Sequence, residues 1–302
     1  MGQSKAVYYI YRLAGFLVPH IPPRVGYWLF ARLGDLCYYF SRNARANVVD
    51  NLHHVLGPEA SRQHIQQVAR EIFRNQGRNY YDLFRLPTLS LSKIQSLVAV
   101  HGIEHVTKAL DAKQGVILVT LHFGNLDVVG QILGIYGIKV TAPAEHLYPP
   151  ELFRYVCELR SFFGLKLVPA DSYMRPLLRA LRNSEVVGIA ADRNLNQRGT
   201  WVEFFGEPAL LPDGHVRLAM RTGAKIVVAL SRRKSDNTFD ATIEPLTDWV
   251  QTGNLEEDIQ ANIKGMVTIL ERYLRRDPDQ WVMFQPVWKV GKNPTKEPNN
   301  GG

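Results

Sequence analysis

A chain of 302 residues with 46% apolar content can bury one full-sized core or two small ones. It carries a formal charge of +8, has two cysteines (Cys37 and Cys157), and lacks an uncharged apolar run of 18 residues. This excludes a disulfide framework, a cysteine-rich metal site and a recognisable membrane-spanning helix. The basic excess admits nucleic acid, an anionic membrane or a phosphate-bearing substrate.

Residues 6–40 mix aromatic and apolar side chains with arginines, and Pro19, Pro22 and Pro23 divide them into two helical pieces. Six basic residues stand in the first 46 against one acid, Asp35. Tyrosine and tryptophan beside arginine settle at the headgroup level of a bilayer. Residues 1–45 therefore read as helices lying on an anionic membrane surface, not through it. The competing reading gives these aromatics to the protein's own core or to a dimer contact.

A third helix is expected over residues 41–56, closed by Gly57-Pro58. Ile65, Val68, Ala69, Ile72 and Phe73 repeat at i, i+3, i+4, i+7 and i+8, which predicts an amphipathic helix from Ser61 towards Phe84. A strand near Leu97–His101 and a short helix lead to the unbroken apolar run Gly115–Leu121, a strand buried on both faces. It ends at His122, and Val129, Leu133 and Tyr136 mark one face of a following helix.

Beyond Gly137 strands and helices alternate. Strands are expected at 138–142, 166–168, 185–191, 225–230 and 239–243, with helices at 152–163, 174–181 and 214–222. Asn254 and Glu257 have capping-box spacing before the apolar face Leu255, Ile259, Ile263, Met266, Leu270 and Leu274. Trp281–Phe284 reads as a last strand, and residues 291–302 as a disordered tail. The fold class is α/β: a central mixed, mostly parallel sheet flanked by helices, in a single domain over 1–290.

His122 stands at the carboxyl end of a buried strand, where open α/β sheets keep their ligand crevice. Asp127, in the next helical turn, is placed to orient the imidazole, which would then act as a general base on a hydroxyl. The structural alternative makes Asp127 a first-turn cap and His122 a satisfied polar group. Asp192-Arg193 follows a second buried strand. Glu203, set between Val202 and Phe204-Phe205, competes with Asp127 as partner of His122 or faces outward from an edge strand. Arg193 and Arg175 are candidates for a substrate phosphate. Asn125 would bond substrate or close the loop, and Gly124 would supply positive φ or a close backbone approach. Arg232-Arg233-Lys234 reads as a solvated turn. Neither a glycine-rich phosphate loop nor a serine elbow nor HExxH is present, which removes kinases, typical α/β-hydrolases and zinc enzymes.

Several segments together resemble the lipid acyltransferases with a His-x4-Asp/Glu motif. They are His122-Phe-Gly-Asn-Leu-Asp127, Ala191-Asp-Arg193, Val202-Glu-Phe-Phe-Gly206, Pro212-Asp-Gly214, Arg221-Thr-Gly-Ala224 and Trp281-Val-Met-Phe-Gln-Pro-Val-Trp288. Within that superfamily the chain is similar to the bacterial branch of lipid A late acyltransferases and phosphatidylinositol mannoside acyltransferases, over residues 7–290. The resemblance implies acyl transfer from acyl-CoA or acyl carrier protein to a hydroxyl of a membrane glycolipid or lysophospholipid. His122 would be the base, Glu203 its distal carboxylate, Asp127 partly a loop organiser, and backbone N–H groups near His122 or Arg193 the oxyanion donors. It implies no metal, no resident cofactor and no nucleic acid, and a peripheral enzyme on the cytoplasmic face of the cell membrane. The rival readings are a thioesterase-type hydrolase using the same pair and a non-catalytic lipid-binding protein.

Overall fold

A computed structural model describes residues 2–161, 163–170, 174–194 and 198–288. The front consists of α1 (Gly2–Leu17) and α2 (Pro23–Phe40), separated at the predicted prolines by a 3-10 turn (Val18–His20). Helices α3 (Arg42–Leu56) and α4 (Arg62–Arg85) follow, the second capped by Ser61, whose hydroxyl accepts from His64 N. The stripe Ile65, Ala69, Ile72 and Phe73 is buried, as its spacing requires. Helices α2 and α4 touch backbone to backbone. A Cβ on Gly34 would lie 2.4 Å from Phe73 O, and one on Gly77 would lie 2.1 Å from Phe30 O.

After α5 (Leu91–Leu97), β1 (Val98–His101) and α6 (Glu104–Asp111) comes β2 (Val116–Thr120). The helix predicted after His122 is two single turns, α7 (Leu126–Val129) and α8 (Ile132–Ile135), interrupted at Gly130-Gln131. Next are β3 (Val140–Ala144), α9 (Pro150–Arg160), β4 (Leu165–Pro169), α10 (Met174–Arg182) and β5 (Val186–Ala190). A hairpin of β6 (Thr200–Phe204) and β7 (Glu207–Leu211) stands apart as its own two-stranded sheet. The chain then forms α11 (Gly214–Thr222), β8 (Lys225–Arg233), β9 (Phe239–Pro245) and α12 (Leu255–Arg276).

The main sheet has seven strands among the described residues, ordered β1-β9-β8-β2-β5-β3-β4. Strands β8, β2, β5, β3 and β4 run parallel, while β9 pairs antiparallel with β8 and parallel with β1. One face (Ile117, Val119, Val187, Val228, Leu230) packs with buried residues of α10, α11 and α12. The other (Val116, Val186, Val227, Ala241, Ile243) packs with α5 to α8. Burial on both sides explains why β2 and β5 read as continuous apolar runs.

Three local expectations are corrected. The capping box at Asn254 is not made: Asn254 is the N-cap residue without a side-chain bond, and Asp258 instead accepts from Thr252 N and Gly253 N. Trp281–Phe284 is not a ladder strand; a single bridge from Trp281 to Phe123 and a bond from Val282 N to His122 O lay it along the His122 loop. The helix expected to reach Phe163 ends at Arg160. The expected tail, 291–302, lies outside the described residues.

Candidate active site

Strands β2 and β5 are adjacent, parallel and in register, with Thr120 opposite Ala190. Two residues further along each strand the chain reaches His122 and Asp192. The pairing of His122 is therefore set by strand register rather than by the His-x4-Asp spacing. His122 Nδ1 lies 2.8 Å from Asp192 Oδ1, and His122 N donates to Asp192 Oδ2 at 2.8 Å. Trp281 Nε1 donates to the same Oδ2 at 2.9 Å. Asp192 and Trp281 are buried, whereas 36% of the His122 side-chain surface stays open.

Electrostatics fixes the tautomer. Burial alone would raise the Asp192 carboxyl, but His122 and the Trp281 indole outweigh it and hold the group below its ordinary range, ionised. An ionised carboxylate only accepts, so Nδ1 is the nitrogen that carries the proton. Nε2, with no bond among the described residues, is then the basic nitrogen. Burial likewise opposes a proton on His122, yet the Asp192 charge prevails and sets the imidazole above its ordinary 6.5.

His122 lines a cavity of about 500 Å³ that runs along the inner face of the sheet. Its floor alternates in the strand period: Leu118 and Thr120 on β2, Gly188 and Ala190 on β5, Ala142 and Ala144 on β3. Small residues at four of these six positions leave the room. The roof comes from α7, α8 and α9 (Leu126, Val129, Leu133, Phe153) and from Tyr11 of α1. Two ion pairs also line it: Arg160 Nε with Asp127 at 2.8 Å, and Arg193 with Glu145.

The other predicted site residues separate into two groups. Gly124, Asn125, Asp127 and Arg193 line the cavity with His122; Glu203 and Arg175 do not. Asp127 is partnered by Arg160, not by the imidazole. Glu203 stands exposed on β6, in the hairpin outside the main sheet, so its expected pairing with His122 is not made. Arg175 is exposed on α10, the helix packed on the opposite face of the sheet. Asn125 closes the loop: its Oδ1 accepts from Asp127 N and Val128 N, capping α7. Gly124 meets both expectations for it. Its φ is +67°, and a Cβ there would lie 1.9 Å from Ser231 O.

A buried polar cluster stands behind the loop. Asp82 accepts from Tyr27 OH at 2.6 Å, from Asn125 Nδ2 at 2.9 Å and from Arg233 Nη2. Arg233 is not in a solvated turn; it is buried, bonded also to Asn79 Oδ1 and stacked on Phe239. Breaking such a pair by removing one charge costs about 3–5 kcal/mol. The cluster has its signal in the sequence: Asn75, Asn79 and Asp82 continue the buried stripe of α4, so their polar groups need partners in the core.

Against this geometry, the sequence matches the family model described as "Bacterial lipid A biosynthesis acyltransferase" across residues 3–290. The chain belongs to this family. The acyltransferase is 29% identical to the phosphatidylinositol mannoside acyltransferase of Mycobacterium tuberculosis over 259 residues, 83% of this chain and 79% of that one. It is 28% identical to the Mycolicibacterium smegmatis protein of the same name over 249 residues, covering 77% of this chain and 80% of that one. It is also 27% identical to the lipid A biosynthesis lauroyltransferase of Escherichia coli over 281 residues, 91% of this chain and 89% of that one. Its His122–Asp192 pair and apolar cavity thus belong to an O-acyltransferase.

Proposed function

We propose that the enzyme moves a fatty acyl group from acyl-CoA or acyl carrier protein to a hydroxyl of a membrane glycolipid, with His122 as general base and Asp192 as its orienting carboxylate. The carrying observation is that His122, with its basic Nε2, lines a largely apolar cavity of about 500 Å³. At about 0.8 kcal/mol per buried methylene, a chain of a dozen carbons is worth several kcal/mol inside such a cavity. In this reading the chain lies over Gly188 and Ala142, which brings its thioester to the open end at His122. Nε2 takes the hydroxyl proton as the oxygen attacks the carbonyl carbon. The tetrahedral intermediate then collapses to the ester, and the departing sulfur takes the proton from Nε2.

The expected backbone oxyanion donors near His122 are engaged in this structure. The N–H groups of His122, Phe123, Gly124 and Asn125 are bonded to Asp192, Leu121 O, Gln280 O and Ser231 Oγ. Arg193 is the cation at the mouth assigned to the oxyanion, on exchange with Glu145. Asp127 holds Arg160 in the cavity wall.

The names of the relatives favour a mannosylated phosphoinositide or a lipid A precursor as acceptor. No helix among the described residues is long and apolar enough to cross a membrane. The aromatic front is proposed to rest on the cytoplasmic leaflet as a peripheral contact: Phe16 is 69%, Trp28 63% and Phe40 81% exposed. Purified protein incubated with palmitoyl-CoA, with and without glycolipid vesicles, tests the reading. Acylated lipid as the main product supports transfer, and acceptor-independent thioester hydrolysis contradicts it.

A further inference from the structure

We infer that Asp82 and Arg233 are positioning residues for the reaction: from outside the cavity they clamp the loop that carries His122. Of the described residues lining the cavity, none is Tyr27, Asp82 or Arg233, so any influence they have on turnover passes through what they hold, Asn79 and the loop. The route is continuous. Asp82 Oδ2 accepts from Asn125 Nδ2 at 2.9 Å and from the Arg233 guanidinium, which also bonds Asn79 Oδ1 at 2.8 Å. Asn79 Nδ2 donates to Gly124 O at 2.7 Å. Arg233 N donates to Gln280 Oε1 at 2.8 Å, and the carbonyl of Gln280 accepts from Gly124 N at 2.8 Å.

Three more bonds complete the clamp: Ser231 Oγ to Phe123 O, Asn125 N to Ser231 Oγ, and Val282 N to His122 O. Every backbone donor and acceptor from His122 O to Asn125 N is thus held by α4, β8, Gln280 and Val282 on either side of Trp281, or the loop itself. A buried charge pair is expensive to keep where apolar residues would pack, and it suits a site where one geometry must be specified. The imidazole meets Asp192 only if its backbone stays within a few tenths of an ångström of this path, and misplacement by about 1 Å can cost 100-fold in rate. The inference rests on His122 being the base.

The test compares Asp82→Asn, the double variant Asp82→Leu/Arg233→Met, and Tyr27→Phe, which removes one bond to Asp82 and keeps the ring. Ile65→Val, a core change far from the loop, is the control. Each is assayed with palmitoyl-CoA and glycolipid vesicles below its unfolding temperature, and the Nδ1–H of His122 is followed by proton NMR on histidine-labelled protein. The clamp predicts kcat reduced at least about tenfold in the double variant and several-fold in Tyr27→Phe. KM for palmitoyl-CoA should stay within about twofold, and the low-field Nδ1–H signal should weaken in step. Ile65→Val should keep both kcat and signal. Variants matching Ile65→Val in kcat and in the Nδ1–H signal would overturn the inference. Should the charge variants fail to fold, Tyr27→Phe decides alone by the same readouts. His122→Gln separates the two levels: if it retains turnover, the base assignment fails, whereas if it is inactive while clamp variants are normal, only the clamp fails.

Discussion

The His122 loop and the α1–α2 front break opposite rules of globular proteins. The loop buries charge and polar backbone, with Asp82, Arg233, Asn125 and Asp192 all nearly inaccessible. The front does the reverse, exposing Ile10, Leu13, Phe16, Trp28 and Phe40. Each departure is costly, and they are offset differently. Inside the loop the polar groups bond one another, so the compensation lies within the chain. On the front the apolar groups stay uncovered by the described residues, and the compensation proposed for them is a membrane surface. An internally satisfied region fixes geometry for chemistry. In the proposed function, the externally satisfied one fixes where the molecule sits.

Four experiments break or sharpen this contrast. Replacing His122 by Gln should lower turnover by on the order of 10³–10⁴ while leaving vesicle binding intact, as measured by transfer assay and co-sedimentation. The double change Phe16→Ser/Trp28→Ser should do the converse. Losing the bilayer insertion of two exposed aromatics is worth about 3 kcal/mol or more, roughly 100-fold in partition to anionic vesicles, with turnover on detergent-dispersed substrate maintained.

Stability against pH probes a buried group that lacks the loop's compensation. His215, on α11, is fully buried with neither ring nitrogen bonded among the described residues. Burial pushes its imidazole from 6.5 down to about 4, with Asp213 opposing weakly. A lowered folded pKa means the unfolded chain binds the proton first. Stability from this group is therefore complete above pH 6.5 and is lost as pH falls towards 4, by about 3 kcal/mol in all. Denaturant melts of wild type and His215→Phe between pH 7 and 4 should diverge by that amount. Parallel curves would remove the effect.

The smallest change concerns the cavity floor. A Cβ on Gly188 would sit 3.7 Å from Ala142 Cβ and from Val140 Cγ1, an ordinary contact, so Gly188→Val should fold. Its added bulk takes chain volume, and the preference between palmitoyl- and lauroyl-CoA should move about tenfold towards the shorter donor.

How far the sequence anticipated these regions follows from where each constraint originates. The strands, the helical front and the mixed α/β class were legible because apolar period and proline placement are local properties. His122 was legible because a polar residue ending a buried strand has few structural reasons to be there. Its partner was harder to identify. Val116–His122 and Val186–Asp192 follow one template, an apolar run closed by a polar residue at the seventh position, yet their adjacency depends on strand order. Spacing drew attention to Asp127, and the apolar neighbours of Glu203 drew attention to that residue. The first is held by Arg160 and the second faces solvent. The Asp82–Arg233 pair joins positions 151 residues apart, which no local pattern reveals.

The pairing of the base is therefore the claim to test first. Transfer from palmitoyl-CoA to glycolipid vesicles, measured from pH 5 to 9 for wild type, Asp192→Asn and Glu203→Gln, addresses it in one series. Because Asp192 holds the imidazole above 6.5, wild-type kcat should fall on the acid side with a midpoint above that value. Glu203→Gln should reproduce the wild-type curve, and Asp192→Asn should lose on the order of 10³-fold or more, with any residual acid limb moved to lower pH. A normal rate and acid limb in Asp192→Asn, with the loss appearing in Glu203→Gln, would contradict the account.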